Sequence, residues 1–255
     1  MSERELTRGA ATTLCNERMR DRTRAMRHTM MLIITAIFAV PMRMDAQAAG
    51  AAGIGIDHVI LGVNDLDRGM AEFARRTGVT PVKGGVHPGR GTQNALASLS
   101  DGRYIEILAP SHEAGTTADA RTAFATLTPV GWALHTTDLN RAVATMRAAG
   151  FTVSEIRPGA RARPDGVQLS WQTADVSGAG LDAAPFFIMW GAGTPHPSTQ
   201  SPTGCTFRSA AMTEPDPAPL TKFLATAGVK VTVTKADSPH MTIVLACPAG
   251  EVTFR

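Results

Sequence analysis

The stretch Ile56-Asp57-His58-Val59-Ile60-Leu61-Gly62-Val63, followed after one residue by Asp65-Leu66-Asp67-Arg68, decides the predicted fold. Its first part is rich in β-branched residues, which favour a strand. Asp65 stands where a helix N-cap is expected, so the strand is predicted to lead directly into a helix. The pattern returns at two later places: Val130–His135 with Asp138–Arg141, and Cys205–Arg208 with Asp216–Leu220. The chain therefore contains a threefold internal repeat.

The three predicted helices share one apolar face. Their apolar residues stand at positions i, i+4 and i+7, which places them on one side of a helix. These residues are Leu66, Met70 and Phe73; Leu139, Val143 and Met146; and Leu220, Leu224 and Ala227. Each helix is predicted to end at a glycine, since glycine favours the left-handed conformation that terminates helices. The three glycines are Gly78, Gly150 and Gly228.

Three strand-like runs follow each helix. They are Val79–Lys83, Thr92–Leu99 and Arg103–Ala109; Phe151–Glu155, Val167–Ala174 and Pro185–Trp190; and Val229–Lys235, His240–Cys247 and Glu251–Arg255. The segments 157–166 and 191–204 are rich in Gly, Pro and Arg or Ser, and are predicted to be loops. The predicted fold class is therefore α+β, with three tandem βαβββ modules at residues 54–110, 129–197 and 203–255.

The N-terminal 48 residues have the three parts of a secretory signal peptide. An arginine-rich segment comes first, the apolar run Met30–Val40 follows, and Ala46-Gln47-Ala48 is a small-residue cleavage site. The apolar run is shorter than the roughly 20 residues that a membrane-spanning helix needs. We therefore expect an exported protein, periplasmic or secreted, with no stable membrane insertion once the leader is cleaved near Ala49. The alternative is a membrane-anchored N-terminal helix.

The chain that follows this leader is formally neutral and carries two cysteines. Residues 1–48 hold eight of the 25 basic and five of the 22 acidic residues, which leaves 17 of each in the remainder. A neutral chain without a clustered basic face argues against nucleic-acid binding. Cys205 and Cys247 form either a disulfide, as an oxidising compartment allows, or two buried thiols.

A strand–helix–three-strand unit repeated in tandem resembles the modules of the vicinal oxygen chelate superfamily. The likeness is greatest at Ile56–Asp67, at Gly84–Asn94 with Tyr104–Leu108, and at Gly131–Leu134 with Pro185–Trp190. The later stretches are similar to the branch called glyoxalase-like domains, which predicts such a domain at residues 54–200. The resemblance implies that paired modules curl into a cup-shaped half-barrel around a small-molecule pocket.

The resemblance also implies a divalent metal, with ligands from the first and last strands of each module. The first module has both, His58 in its first strand and Glu106 in Tyr104–Leu108. A carboxylate in the centre of an apolar strand is costly to bury unless it is paired or bound to a cation. We therefore predict His58 and Glu106 as metal ligands, and Glu106 as the catalytic residue, either as ligand or as general base. The alternatives are a core histidine, and a carboxylate that faces a wet cavity without metal.

The second module does not supply the matching ligands. Alignment of the repeats places Gly131 where the first module has His58, and Met189 where it has Glu106. His135 lies four residues beyond Gly131, roughly 13 Å along a strand at 3.3 Å per residue, so we expect it away from the site. A metal would need a further ligand, for which the candidates are His87, His135 and His196.

The third module is predicted to be structural. It has Phe254 opposite Glu106 and no histidine in its first strand, so it lacks metal ligands. Since cups of this superfamily need modules in pairs, the third is expected either to complete the sheet or to meet its copy in a homodimer.

Three more polar residues of the first module are predicted to bind a small-molecule substrate. His87 and Arg90 lie in the glycine-rich stretch, and Asn94 lies in the third strand. His87 and Arg90 have the alternative of being solvated loop side chains. We predict a lyase or isomerase, assisted by a divalent metal if the ligand set is completed. The alternative is a non-catalytic protein that binds or sequesters a small molecule and has lost the metal site.

Overall fold

The computed structural model describes residues 53–113, 116–117 and 119–255. The predicted signal peptide, residues 1–48, lies outside the described residues, so its cleavage and the export of the protein stay predictions. None of the helices in the described ranges is long and apolar enough to cross a membrane.

Three segments follow one another, each with a strand, a helix and then further strands. The first contains β1 (Gly55–Gly62), α1 (Leu66–Thr77), β2 (Val82–His87), β3 (Thr92–Ser98) and β4 (Tyr104–Pro110). The second contains β5 (Thr128–His135), α2 (Leu139–Ala148), β6 (Thr152–Val153), β7 (Arg157–Ala162), β8 (Gln168–Ala174), β9 (Val176–Ser177) and β10 (Phe186–Trp190). The third contains β11 (Thr206–Glu214), α3 (Ala218–Ala227), β12 (Thr232–Lys235), β13 (His240–Cys247) and β14 (Gly250–Phe254). Short 3-10 helices cover Ala120–Thr122 and Pro197–Thr199.

The helix ends follow the capping residues in the sequence. Asp65 and Asp138 each accept a hydrogen bond from the backbone N–H three residues on, at 2.8 and 2.9 Å. Such a cap stabilises a helix by about 1 kcal/mol. Gly78 and Gly228 end α1 and α3 in the left-handed conformation, with φ of 76° and 72°. The predicted starts of α1 and α2 and the predicted ends of α1 and α3 are confirmed.

The first two segments share one curved, nearly closed sheet of eight strands, in the order β2-β3-β4-β1-β5-β10-β8-β7. In each half the first strand lies parallel to the last, β1 beside β4 and β5 beside β10. The antiparallel pair of β1 and β5 joins the two halves. The outer strands β2 and β7 approach each other where the Arg161 guanidinium donates to the carbonyl oxygen of Gly84. The predicted cup of tandem modules is confirmed.

One edge of this sheet was not expected from the sequence. The segment 157–166 was predicted to be a loop, but β7 occupies Arg157–Ala162 and pairs with β8. The prediction failed because an edge strand needs backbone partners on one side only and tolerates Pro, Gly and charge. The strand predicted at Phe151–Glu155 is shorter in the structure, where it is β6 and pairs with β9.

The third segment forms a sheet of its own, in the order β12-β11-β13-β14. Its first strand lies between β12 and β13 rather than beside its last strand, so it repeats the order of elements but not the strand pairing. The expectation that it completes the main sheet is wrong. Within the described ranges one isolated bridge, Leu99 with Cys205, connects the two sheets. Pairing with a second copy in a homodimer stays a prediction.

The third segment packs against both of the first two segments. The Phe254 ring stacks on Phe73 of α1 at 5.8 Å between centroids. Phe223 of α3 contacts Phe151 and Phe187 of the second segment at 5.5 and 5.8 Å. A disulfide joins Cys205 and Cys247, which decides between the two alternatives left open by the sequence.

The strands of the cup divide their side chains between this core and a cavity. Val59 and Leu61 of β1 belong to the hydrophobic core. His58 and Ile60 alternate with them and line a cavity on the other face. This alternation follows from the two-residue period of a strand, and it leaves the concave face of the cup for ligands.

Candidate functional site

The concave face encloses a cavity of about 90 Å³ to which both halves contribute. The first segment supplies most of its polar groups, including His58, His87, Asn94 and Glu106. The second supplies much of the apolar wall and one cation: Trp171, Phe186, Ile188, Trp190 and Arg161. The predicted site residues are thus brought together, while their roles stay predictions.

Glu106 lies at the centre of the polar cluster and is only 7% exposed. The Asn94 amide donates to its Oε1 at 2.6 Å. His58 Nε2 lies 3.6 Å from Oε2, and His87 Nε2 lies 3.6 Å from Oε1. Burial alone would raise the pKa of Glu106, but His87, His58, the hydrogen bond from Asn94 and the charge of Arg161 together hold it below its ordinary value. The carboxyl is therefore ionised at neutral pH.

His58 contacts Asp57, its neighbour in β1. In a regular strand consecutive side chains point to opposite faces, yet His58 Nδ1 lies 2.7 Å from Asp57 Oδ1. A β-bulge explains the contact, because the pairing of β1 with β5 shifts register between Ile56 and His58, and a bulge turns a side chain out of alternation. An ionised carboxylate can only accept, so His58 donates its Nδ1–H and presents Nε2 to Glu106.

Asp57 is buried and collects two further partners. Trp190 Nε1 donates to its Oδ2 at 3.1 Å, and His196 Nε2 lies 3.1 Å from the same oxygen. Burial alone would raise the pKa of Asp57, but the bonds with His196 and His58 hold it far below its ordinary value. Asp57 is therefore an anion, and its hydrogen bond with Nδ1 fixes the orientation of the His58 ring. The sequence analysis missed this role, since the bulge that turns Asp57 towards His58 leaves no mark in the pattern of β1.

His87 faces Glu106 across the cavity as a neutral imidazole. Its Nδ1 lies 2.9 Å from Thr92 Oγ1, and its Nε2 lies 3.3 Å from the Asn94 amide nitrogen. Because that amide donates, His87 Nε2 accepts and Nδ1 carries the proton towards Thr92. Burial is the largest influence and lowers the pKa of His87. His87 and Asn94 both line the cavity, and their role in substrate binding stays a prediction.

These donors do not fit a divalent metal. The Asn94 N–H group occupies Glu106 Oε1 at 2.6 Å and lies 3.3 Å from His87 Nε2, where a cation would have to bind. His58 Nε2 and Glu106 Oε2 are left, one ligand fewer than the three protein ligands usual in a catalytic zinc site. Across the described part of the chain, no three His, Cys, Asp or Glu side chains are grouped to hold a metal ion.

The histidines considered as additional ligands lie elsewhere or have other partners. The His135 ring packs against Gly55, so closely that a Cβ added at Gly55 would lie 2.9 Å from the ring. His135 does not line the cavity. His196 binds Asp57 and lies 2.6 Å from Ser198 Oγ. The sequence alignment put Met189 in the position of Glu106, but Ile188 faces the cavity and Met189 packs on the core side. The second segment therefore offers no carboxylate or imidazole to an ion.

Arginines surround the cavity. Arg90 is exposed at its rim, Arg121 is held by Asp119 at 2.6 Å, and Arg161 is buried. Arg161 was missed by the sequence analysis because its strand was predicted to be a loop.

The comparisons with known proteins agree with this architecture. A family model described as the glyoxalase-like domain matches residues 56–228. The chain belongs to this family. The resemblance to glyoxalase-like domains of the vicinal oxygen chelate superfamily is thereby confirmed. No curated protein matches this glyoxalase-like chain.

One solved structure shows a similar fold at low sequence identity, and a second is similar over a smaller part of the chain. The glyoxalase-like chain is similar to a hypothetical protein from Staphylococcus aureus, with a TM-score of 0.60 and 15% identity over 79% of this chain and 99% of that one. It is also similar to Streptomyces coelicolor methylmalonyl-CoA epimerase, with a TM-score of 0.41 and 19% identity over 54% of this chain and 97% of that one.

Proposed function

We propose that this glyoxalase-like protein is a small-molecule enzyme of the isomerase or lyase type, in which Glu106 is the general base. The observation that carries the proposal is an ionised carboxylate buried at the wall of a ligand-sized cavity. Among the described residues one group, the Asn94 amide, donates to it, so Oε2 is open to a ligand. A base in a water-poor cavity is more effective than one in solvent, because water does not compete for its lone pairs.

The proposed step is proton abstraction from a carbon beside a carbonyl group. Glu106 Oε2 takes the proton, the C–H electron pair moves into the carbonyl, and the ligand becomes an enolate. Return of the proton to another face or another atom gives an isomer, and loss of a leaving group from the enolate gives a lyase reaction.

His58 is the proposed partner for the second proton transfer: Nε2 takes the abstracted proton from Glu106 Oε2 and delivers it to the enolate. Its Nε2 lies 3.6 Å from Glu106 Oε2, so both atoms reach the same ligand. Asp57 fixes the ring through Nδ1 and stabilises an imidazolium whenever Nε2 takes a proton. Tyr104 stacks on the ring at 4.6 Å and restricts its rotation. The proposal assigns no step to a metal, because the donor set does not fit one.

Deuterium exchange tests the proposal without knowledge of the natural substrate. Pyruvate, 2-oxobutyrate and dihydroxyacetone are incubated with the protein in D₂O, and loss of the signal from protons beside the carbonyl is followed by NMR. We expect the protein to accelerate exchange of at least one compound. Glu106→Gln should lower that rate by about a hundredfold or more, as loss of a general base does.

The matched control is Glu155→Gln, since the Glu155 side chain is 90% exposed and pairs with Arg147 away from the cavity. This variant should exchange at the wild-type rate. Binding of the compounds without exchange would contradict the enzyme proposal and favour the second candidate, a binding or sequestering protein. The missing metal ligands of the second segment are the observation that favours that candidate.

We also propose that the protein is exported, to the periplasm or to the medium. The Cys205–Cys247 disulfide supports the proposal, since structural disulfides persist in oxidising compartments. Expression of the full chain, fractionation of the cells and N-terminal sequencing test it. A mature N-terminus near Ala49 in the exported fraction is expected, and an intact leader on soluble protein in the cytosol would overturn it.

A further inference from the structure

Arg161 is the most deeply buried cation of the cavity wall, at 4% exposure. Its hydrogen bond within the described part of the chain goes to the carbonyl oxygen of Gly84. No carboxylate of the described residues forms an ion pair with it. A guanidinium that loses water without gaining a carboxylate is costly, because it carries a full charge and five N–H donors.

Arg161 and Asn94 line the cavity side by side, next to the backbone of Gly84. Gly84 has no side chain, and a Cβ there would lie 2.3 Å from Asn94 Oδ1 and 3.1 Å from Arg161 Nη2. Asn94 Oδ1 is buried and has no hydrogen-bond partner among the described residues. The bare backbone at Gly84 therefore lets Asn94 and Arg161 pack closely against it, and both side chains line the cavity with bonding capacity unfilled.

The charges at the cavity wall favour an anion. Three arginines, Arg90, Arg121 and Arg161, line the cavity against one carboxylate, Glu106. Arg121 is partly neutralised by Asp119, but Arg90 and Arg161 have no such partner within the described ranges. Burial lowers the pKa of Arg161 while Glu106 raises it, so an added anion would stabilise the guanidinium further. Cavities lined by one sign of charge concentrate ligands of the opposite sign.

We infer that Arg161 binds the carboxylate of a small carboxylic acid and thereby places the reacting carbon of that acid at Glu106. The inference rests on the proposed function, because it names the substrate class of the same site. A planar guanidinium matches the geometry of a carboxylate better than that of a neutral group. Glu106 repels a second anion, so the acid binds with its carboxylate away from the base. A cavity of about 90 Å³ accommodates acids of a few carbon atoms.

Paired acids and amides test the inference. Binding of acetate and acetamide, lactate and lactamide, and pyruvate and pyruvamide is measured by calorimetry and by tryptophan fluorescence, since Trp171 and Trp190 line the cavity. We expect at least one acid to bind about tenfold or more tighter than its amide, as hydrogen bonds to charged groups allow. Arg161→Met should bring that acid-to-amide ratio close to one, and Arg161→Lys should retain part of it.

The ratio separates anion binding from a structural role. If Arg161 only closes the cup through its contact with Gly84, its loss should weaken the binding of acids and amides equally. The acid-to-amide ratio would then stay unchanged, and this result would overturn the inference. A wild-type protein that shows no preference for acids would overturn it as well. The matched control is Arg157→Met, on the same strand, where the side chain is 52% exposed and pairs with Asp175. This variant should keep the wild-type ratio.

Glu106→Gln distinguishes failure of the inference from failure of the proposed function. Removal of the negative charge should preserve or increase the preference for acids while it abolishes deuterium exchange. Acid preference without exchange in the wild type would uphold the ligand class and overturn the chemistry. If Arg161→Met keeps the wild-type exchange rate and the wild-type acid-to-amide ratio, Glu106 remains the proposed base. The inference that Arg161 binds the carboxylate would then be wrong.

Discussion

Phe254→Ala tests whether the third segment serves only to stabilise the cup. The ring is fully buried, stacks on Phe73 at 5.8 Å and lies 4.0 Å from the Arg76 guanidinium. Truncation of such a phenylalanine costs about 4 kcal/mol of unfolding free energy, through lost apolar burial and the cavity left behind. For a domain of about 200 residues, 1 kcal/mol shifts the melting temperature by roughly 2–4 °C, so a decrease of about 8–16 °C is expected.

The assay is thermal unfolding followed by circular dichroism, with binding of the acids measured on folded protein below the transition. Phe124→Ala is the matched control, because that ring is 39% exposed. It should change the melting temperature by less than about 2 °C, as surface substitutions do. Since Phe254 does not line the cavity, acid affinity should stay at the wild-type value. A Phe254→Ala protein that keeps its stability but loses binding would refute the reasoning and show that the third segment helps to build the site.

Three further predictions concern the disulfide, Asp57 and Gly84. The disulfide closes a separation of 42 residues, so its reduction should lower stability by about 4 kcal/mol, and Cys205→Ser should melt at one temperature with or without reductant. Asp57→Asn should cost about 3 kcal/mol at neutral pH, as loss of a buried charged partner does. Because the folded-state pKa of Asp57 is depressed, this difference should shrink as the pH falls below about 4, in urea unfolding measured at several pH values. Gly84→Ala should displace Asn94 and Arg161, lower the unfolding free energy by about 1–3 kcal/mol and weaken acid binding. Acid binding that is unchanged by calorimetry would contradict this interpretation of the cavity.

Local patterns in the sequence predicted the order of helices and strands, and the resemblance to the superfamily implied that they form a cup. The apolar stripes, the N-caps at Asp65 and Asp138 and the C-cap glycines mark the helices, and alternation marks the strands. The strand pairing of the third segment could not be predicted in this way. Its order of elements matches the first segment, but the position of β11 between β12 and β13 depends on long-range packing.

Some residues of the candidate site could likewise be predicted from local sequence patterns, and others could not. Glu106 could be found from the sequence because a carboxylate in an apolar strand is unusual wherever that strand lies. Asp57 and Arg161 could not, since the role of each depends on an irregularity of the sheet. For Asp57 this is the bulge in β1, and for Arg161 it is the closure of the cup beside Gly84. Patterns with a period of two residues do not record bulges or contacts between edge strands.

The two halves of the cup contribute different groups to the cavity: the first supplies the carboxylate Glu106, and the second supplies Arg161 and an apolar wall. The internal repeat gives a physical reason for this difference. A site built from two copies of one module receives equivalent positions from both, and a metal with four ligands uses all of them. The proposed general base needs one carboxylate, so β10 can instead present the apolar side chains of Phe186, Ile188 and Trp190 to the cavity. An apolar wall reduces competition from water and so strengthens electrostatic interactions. The proposed base in the first half and the proposed carboxylate-binding arginine in the second lie on different strands and would approach a ligand from different sides. An acid held by such a pair is oriented by opposite charges at its two ends, which a site with the same groups in both halves would not achieve.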